Sequence, residues 1–103
     1  MYLIIHTTTS TPEEAKKIAS YLVENKLAAC VNMHSISSVY SWNGKTEEDH
    51  EIALSIKTTS ENLDAVSEAI KSMHSYELPA IIYWEIDGDK DYLKWISDST
   101  IKK

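Results

Sequence analysis

The sequence predicts one α+β domain whose elements run strand-helix-strand-strand-helix-strand, closed by a short terminal helix. Three observations carry this. Apolar, β-prone stretches stand at both ends of the chain, around residues 2–8 and 80–86. Two stretches with helical apolar spacing, each opened by a capping residue, lie between them. A single Asn43-Gly44 pair, the strongest two-residue signal for a type I′ hairpin turn, separates two further β-like runs. With 103 residues there is material for one domain, and only two Gly and two Pro leave little for linkers.

Taken in order, residues 2–8 read as a strand that is apolar on both faces, with Tyr2 and Ile4 on one and Leu3 and Ile5 on the other. Thr11-Pro12-Glu13-Glu14 then supplies an N-cap, a proline at N1 and a glutamate at N3, the capping-box pattern. Ala15, Ile18, Ala19 and Leu22 follow at helical spacing, which predicts a helix ending near Lys26. Residues 28–42 are β-like, and beyond the Asn43-Gly44 turn residues 51–57 alternate cleanly, with Ile52, Leu54 and Ile56 on one face. Arms of this length predict a hairpin that projects beyond its own sheet. Thr58-Thr59-Ser60 caps a second helix that buries Leu63, Val66, Ile70 and Met73. Pro79 biases Leu78 away from helix, so residues 74–79 form a loop. Residues 80–86 make the fourth strand, again apolar on both faces, and Asp87-Gly88-Asp89 turns into a helix carrying Tyr92, Leu93, Trp95 and Ile96.

Right-handed crossovers around one hairpin give an antiparallel four-stranded sheet in the order 4-1-3-2 with both long helices on one face, the ferredoxin-like arrangement. The second face then lacks cover. An apolar face of several hundred Å² in water, on the order of the largest patch a monomer carries, is an aggregation hazard. A ligand, the terminal helix or another copy of the chain must shield it. The terminal helix is too short for the whole face, which predicts self-association in a closed ring with the long hairpins reaching onto neighbours.

Charge and composition exclude several classes. The net charge is −6 and every basic residue is Lys, so the Arg fork that grips phosphate and guanine edges is missing. A nucleic-acid partner is not expected, and no aromatic-basic RNA-binding pattern marks the central strands. The single cysteine, Cys30, forms no internal disulfide and reads as a small buried hydrophobe. No stretch approaches a membrane span and the N-terminal run reads as a strand, so the expectation is a cytoplasmic protein with no membrane partner. No Gly-rich phosphate loop, Ser-His-Asp signature or paired catalytic carboxylates appear, and no enzyme is expected.

Several segments, in order along the chain, resemble a known family. They are Lys26-Leu27-Ala28-Ala29-Cys30-Val31-Asn32, Ser38-Val39-Tyr40-Ser41-Trp42-Asn43-Gly44-Lys45, Ile56-Lys57-Thr58-Thr59, His74-Ser75-Tyr76 with Pro79, and Tyr92-Leu93-Lys94-Trp95-Ile96. Together they resemble the CutA divalent-cation tolerance family across essentially the whole chain. The resemblance implies a ferredoxin-like homotrimer similar in shape to the PII nitrogen-signalling trimers, a role tied to copper and other divalent metals, and no established catalysis. Ser75 stands where the family usually has Pro, and Ala80 where it usually has Glu after the Pro; the second change removes a potential oxygen ligand.

The topology puts the end of the first strand and the loop before the fourth at one edge of the sheet. His6 and His74, with Glu77 nearby, could there offer imidazole and carboxylate to Cu(II) or Zn(II). The resemblance associates metal ligation with the same edge, at the positions matched by His6 and His74. The alternative for both histidines is ordinary hydrogen bonding. His34 and His50, on the hairpin arms, are not expected to ligate. Lys57 and Tyr76 are expected in clefts between subunits, where Lys57 either snorkels or, in a PII-like alternative, helps bind a small anionic metabolite. Tyr40, Trp42 and Trp84 are expected at the trimer interface, and Glu47-Glu48-Asp49-Glu51 reads as a solvated edge that discourages aggregation.

Overall fold

The computed structural model describes residues 1–100. Strand β1 (Tyr2–Thr9) buries every second residue, Leu3, Ile5, Thr7 and Thr9, as period two requires. Helix α1 (Pro12–Glu24) begins where Thr11 Oγ1 accepts the Glu14 N–H at 3.2 Å, with proline at the first helical position. Its C-terminus closes two residues earlier than the apolar spacing suggests. Lys26 takes a left-handed φ of 58°, and the Lys26 and Leu27 N–H groups turn back to Val23 O at 3.1 Å and Leu22 O at 2.9 Å. This pair of bonds satisfies carbonyls that the helix would otherwise leave open.

Strands β2 (Cys30–Trp42) and β3 (Lys45–Thr59) form the long hairpin, turning through Asn43 and Gly44 at φ 52° and 77°. β3 starts well before the alternating stretch at 51–57, because the acidic run from Thr46 to His50 is paired to β2 residue by residue. Seven register pairs, from Ile36↔Glu51 to Trp42↔Lys45, lie beyond Ile52, the last β3 residue paired with β1. At about 3.3 Å per residue the hairpin projects roughly 20 Å past the sheet. The molecule is correspondingly elongated, with extents of 44 × 25 × 20 Å.

Thr59 does not cap the second helix directly. It opens a 3₁₀ turn over Ser60–Asn62, where its hydroxyl accepts from Asn62 Nδ2 at 3.0 Å, and α2 (Leu63–Met73) begins after it. Strand β4 (Ile82–Ile86) is shorter than residues 80–86 because pairing with β1 starts at His6↔Ile82. Helix α3 (Lys90–Ser99) is capped by Asp89, which accepts the Tyr92 N–H at 3.0 Å. No described helix is long and apolar enough to cross a membrane.

The sheet runs β2-β3-β1-β4, antiparallel throughout. Ile5, Leu54 and Ile56 pack against Ile18 and Leu22 of α1 and Val66 and Ile70 of α2, so both long helices share one face. Each such fully buried side chain contributes about 1.5–3 kcal/mol. The other face presents Tyr2, Ile4, His6 and Thr8 of β1, in register with Ile86, Trp84 and Ile82 of β4 and with Lys57, Ser55 and Ala53 of β3. α3 covers only one end of it. Its Leu93 and Ile96 pack with Ala29 and Tyr2, and the Tyr2 hydroxyl shares a 2.8 Å hydrogen bond with Ser97 Oγ.

Candidate functional site

At the far end of this second face from α3, residues 75–80 fold against the base of the projecting hairpin. They enclose a cleft of about 710 Å³ whose walls include Thr8, Ser38, Tyr40, Trp42, Glu51 and Tyr76. The strand period explains the convergence. Glu51, Ser38, Tyr40 and Trp42 share one face of the hairpin, the face that continues through Ala53 to Thr8. β3 brings Glu51 there as the first residue of the arm that is buried, at 8% exposure.

The centre of the site is Glu51. The Tyr76 hydroxyl donates to Glu51 Oε2 at 2.7 Å. Burial pushes the Glu51 carboxyl up, but hydrogen bonding from Ser38, Tyr76 and Thr8 outweighs it, and the group stays below the usual carboxylate range. The same environment acts oppositely on its donor: burial, then the Glu51 carboxylate, drives the Tyr76 phenol well above its ordinary value. On the hairpin wall the Tyr40 hydroxyl donates to Asp49 Oδ2, and that bond, followed by slight burial and the Asp49 charge, pushes Tyr40 up to about 12. The cleft thus holds an ionised carboxylate beside two phenols kept neutral.

Tyr76 is positioned by His74. The His74 side chain is fully buried. Its Nδ1 accepts the Tyr76 N–H at 3.0 Å, which leaves the ring proton on Nε2 to donate to Thr8 O at 2.6 Å. The two rings lie 4.6 Å apart, tilted by 46°. Glu14 holds the loop from the other side. Rather than turning back to the Thr11 N–H as a capping box would, its carboxylate accepts from Ser75 N–H at 2.6 Å and Ser75 Oγ at 2.9 Å. Ser75 therefore supplies two donors, both of which a proline would lack.

The expected metal set does not assemble. Both nitrogens of His74 are occupied, His6 stands on the open sheet face outside the cleft walls, and Glu77 is an exposed wall residue. Among the described residues no three His, Cys, Asp or Glu side chains converge on a metal position. One chain's donors do not fit a resident copper or zinc ion, which takes four or so ligands. His50 Nδ1 shares a long 3.4 Å hydrogen bond with Ser37 Oγ, and His34 is exposed on the same face as His6.

Lys57 also lies elsewhere. Its Nζ donates to the Tyr92 hydroxyl at 3.2 Å and sits 5.3 Å from the centre of that ring, under α3. It is six residues along β3 from Glu51, about 20 Å at strand rise, and is not part of the cleft. Tyr76 does line the cleft, and so do Tyr40 and Trp42, which the sequence assigned to an interface. Trp84 remains exposed on the open face, and Cys30 is half-buried there with its thiol 3.7 Å from Asn32 Oδ1. In the sequence Glu51 reads as part of a solvated acidic edge. The available signal was its phase: it alternates with Ile52 and falls in line with Ala53 and Ser55, small residues beside which a carboxylate can fold inward.

Residues 3–99 match the family model described as CutA1 divalent ion tolerance protein. The chain belongs to this family. Among CutA relatives, the divalent-cation tolerance protein CutA of Archaeoglobus fulgidus is 43% identical over 100 residues, covering 96% of this chain and 98% of its own length. A CutA homolog from Xenopus laevis is 46% identical over 95 residues, 90% of this chain, and this chain spans 63% of that protein's length. Two solved CutA structures share the fold closely. The periplasmic divalent cation tolerance protein CutA from Archaeoglobus fulgidus superposes with a TM-score of 0.96 at 42% identity, covering 98% of this chain and all 100% of that one. The Thermus thermophilus divalent cation tolerance protein gives 0.94 at 37% identity over 97% and 99% of the two chains.

Proposed function

We propose that this chain serves divalent-cation tolerance as a self-associating binding protein, a homotrimer without catalytic activity, whose working site is the cleft around Glu51 and Tyr76. The observation that carries this reading is the uncovered middle of the second sheet face. α3 occupies one end and residues 75–80 the other, while Ile82 and Trp84 between them are 57% and 46% exposed beside Ile4 and His6. A second copy laid over this stretch removes apolar surface from water, and the projecting hairpin gives each copy an arm with which to reach its neighbour. Three copies is the number that the family resemblance implies.

The reading places no copper or zinc within a single copy, because His74 would first have to release Thr8 O or the Tyr76 N–H. The anion-sensing alternative has no observation in its favour, since its lysine is held by Tyr92 away from the cleft. Sedimentation equilibrium tests the proposal. The expected mass is three times the 11.7 kDa chain, and Trp84→Glu is expected to shift it toward the single chain. A folded wild-type protein that stays at 11.7 kDa at micromolar concentration overturns it.

A further inference from the structure

The Glu51 cleft has a charge pattern that selects its ligand. Glu51 is more than nine-tenths buried and ionised, yet no described residue pairs with it as a cation; among the described residues Lys94 is paired with Asp98, and His74, neutral with its proton on Nε2, approaches Glu14 rather than Glu51. A buried carboxylate supported only by hydroxyls is an uncompensated charge, which a bound cation would neutralise. No Lys or His lines the cleft, and Glu77 adds a further negative group at its wall. Anions are therefore repelled.

The choice between a metal ion and an organic cation follows from the remaining walls. A divalent metal needs several oxygen or nitrogen ligands converging at about 2.0–2.6 Å, and such a set is missing among the described residues. Three aromatic side chains, Tyr40, Trp42 and Tyr76, line the cleft instead. Aromatic faces attract ammonium groups, and a carboxylate beside them fixes the charged end. The hydroxyls of Thr8 and Ser38 are further acceptors for N–H donors. At about 710 Å³ the space suits a small molecule rather than a bare ion, lying within the roughly 300–1,000 Å³ typical of such sites.

We infer that the cleft binds a small organic ammonium ion, its charge on the Glu51 carboxylate and its carbon skeleton against Tyr76, Trp42 and Tyr40. All the walls named come from one chain, and the inference rests on the reading above that this cleft is the working site.

Calorimetric titration with phenethylammonium, against the neutral 2-phenylethanol, tests it on the full chain, with light scattering on the same samples recording assembly separately. The expected result is saturable binding of the ammonium, tighter than the alcohol by about tenfold or more, with that preference lost in Glu51→Gln. Equal binding of the two, no binding of either, or a preference that survives Glu51→Gln overturns the inference. So does saturable Zn(II) binding in place of the ammonium. Should Glu51→Gln not fold, Trp42→Leu on the exposed arm decides: a loss of about threefold or more is expected, and unchanged affinity overturns it.

Discussion

Glu51 and Tyr76, twenty-five positions apart, meet in a 2.7 Å hydrogen bond that ties the base of the projecting hairpin to the loop behind α2. The bond has a charged acceptor, which makes it stronger than a neutral pair. Tyr76→Phe keeps the ring and removes only the donor, and is expected to cost about 1.5 kcal/mol in urea unfolding. The pH dependence has a definite sign. Because the folded carboxyl sits below its ordinary value, near 4.3 for a free glutamate, Glu51 stabilises the fold above that ordinary value. The contribution fades as pH falls through the lower, folded value. The stability difference between wild type and Glu51→Gln should therefore be constant near neutrality and shrink below about pH 4. A difference that grows on acidification would contradict the assignment.

His74 is expected to be a structural residue. Removing the ring by His74→Ala orphans the Tyr76 N–H and Thr8 O and leaves a cavity beside the half-buried Tyr76 ring. The expected loss is about 2–4 kcal/mol, read from the urea midpoint. His6→Ala, on the open face, should fall within about 0.5 kcal/mol in a sample held monomeric. Comparable effects for the two would mean that the paired hydrogen bonds on His74 carry little of its role.

These residues mark where sequence reasoning reached and where it stopped. The cap at Thr11, the left-handed pair Asn43-Gly44 and the alternation of Ile52, Leu54 and Ile56 are local signals, readable because their physics lies within a few residues. The need to cover the second face was legible for the same reason, from strands apolar on both sides. The cleft was not. It depends on pairs such as His74 with Thr8 and Ser75 with Glu14, separated by more than sixty residues and formed only when the loop closes over the sheet end. Topology placed His6 and His74 at one edge but could not say which face each side chain took. His6 follows the β1 alternation onto the open face, and His74 turns inward to cap the strand.

Tyr40 and Asp49 give a test of the hairpin wall. They belong to neighbouring register pairs on one face, Tyr40↔Glu47 and Ser38↔Asp49, within reach of a diagonal contact. The Asp49 carboxylate holds the Tyr40 phenol at about 12. Asp49→Asn removes that charge, and the Tyr40 ionisation is expected to move back toward about 10. Ultraviolet titration of the phenolate band, with Tyr40→Phe as the reference that identifies the signal, reads this directly. An unchanged profile in Asp49→Asn would show that the pair does not form in solution.

The docking of α3 determines how much of the second face is left for another copy. Ile96 is fully buried and, with Leu93, is the apolar contact of this helix with Ala29 and Tyr2. Around it the bonds from Tyr2 to Ser97 and from Lys57 to Tyr92 are at least partly exposed, and exposed polar contacts contribute little alone. The burial of Ile96 should then dominate, and Ile96→Ala is expected to cost about 2–4 kcal/mol. The loss should be local. Amide exchange should rise across residues 90–99 while β1 and β3, held by the core under α1 and α2, keep their protection. A helix that detaches uncovers Tyr2 and Lys57, widening the apolar stretch that begins at Ile4 and Trp84, and so should favour larger assemblies over a closed ring in light scattering. If exchange instead rises uniformly through the sheet, α3 belongs to the same cooperative unit as the main core, and its cover of the face is a condition of folding rather than a boundary on self-association.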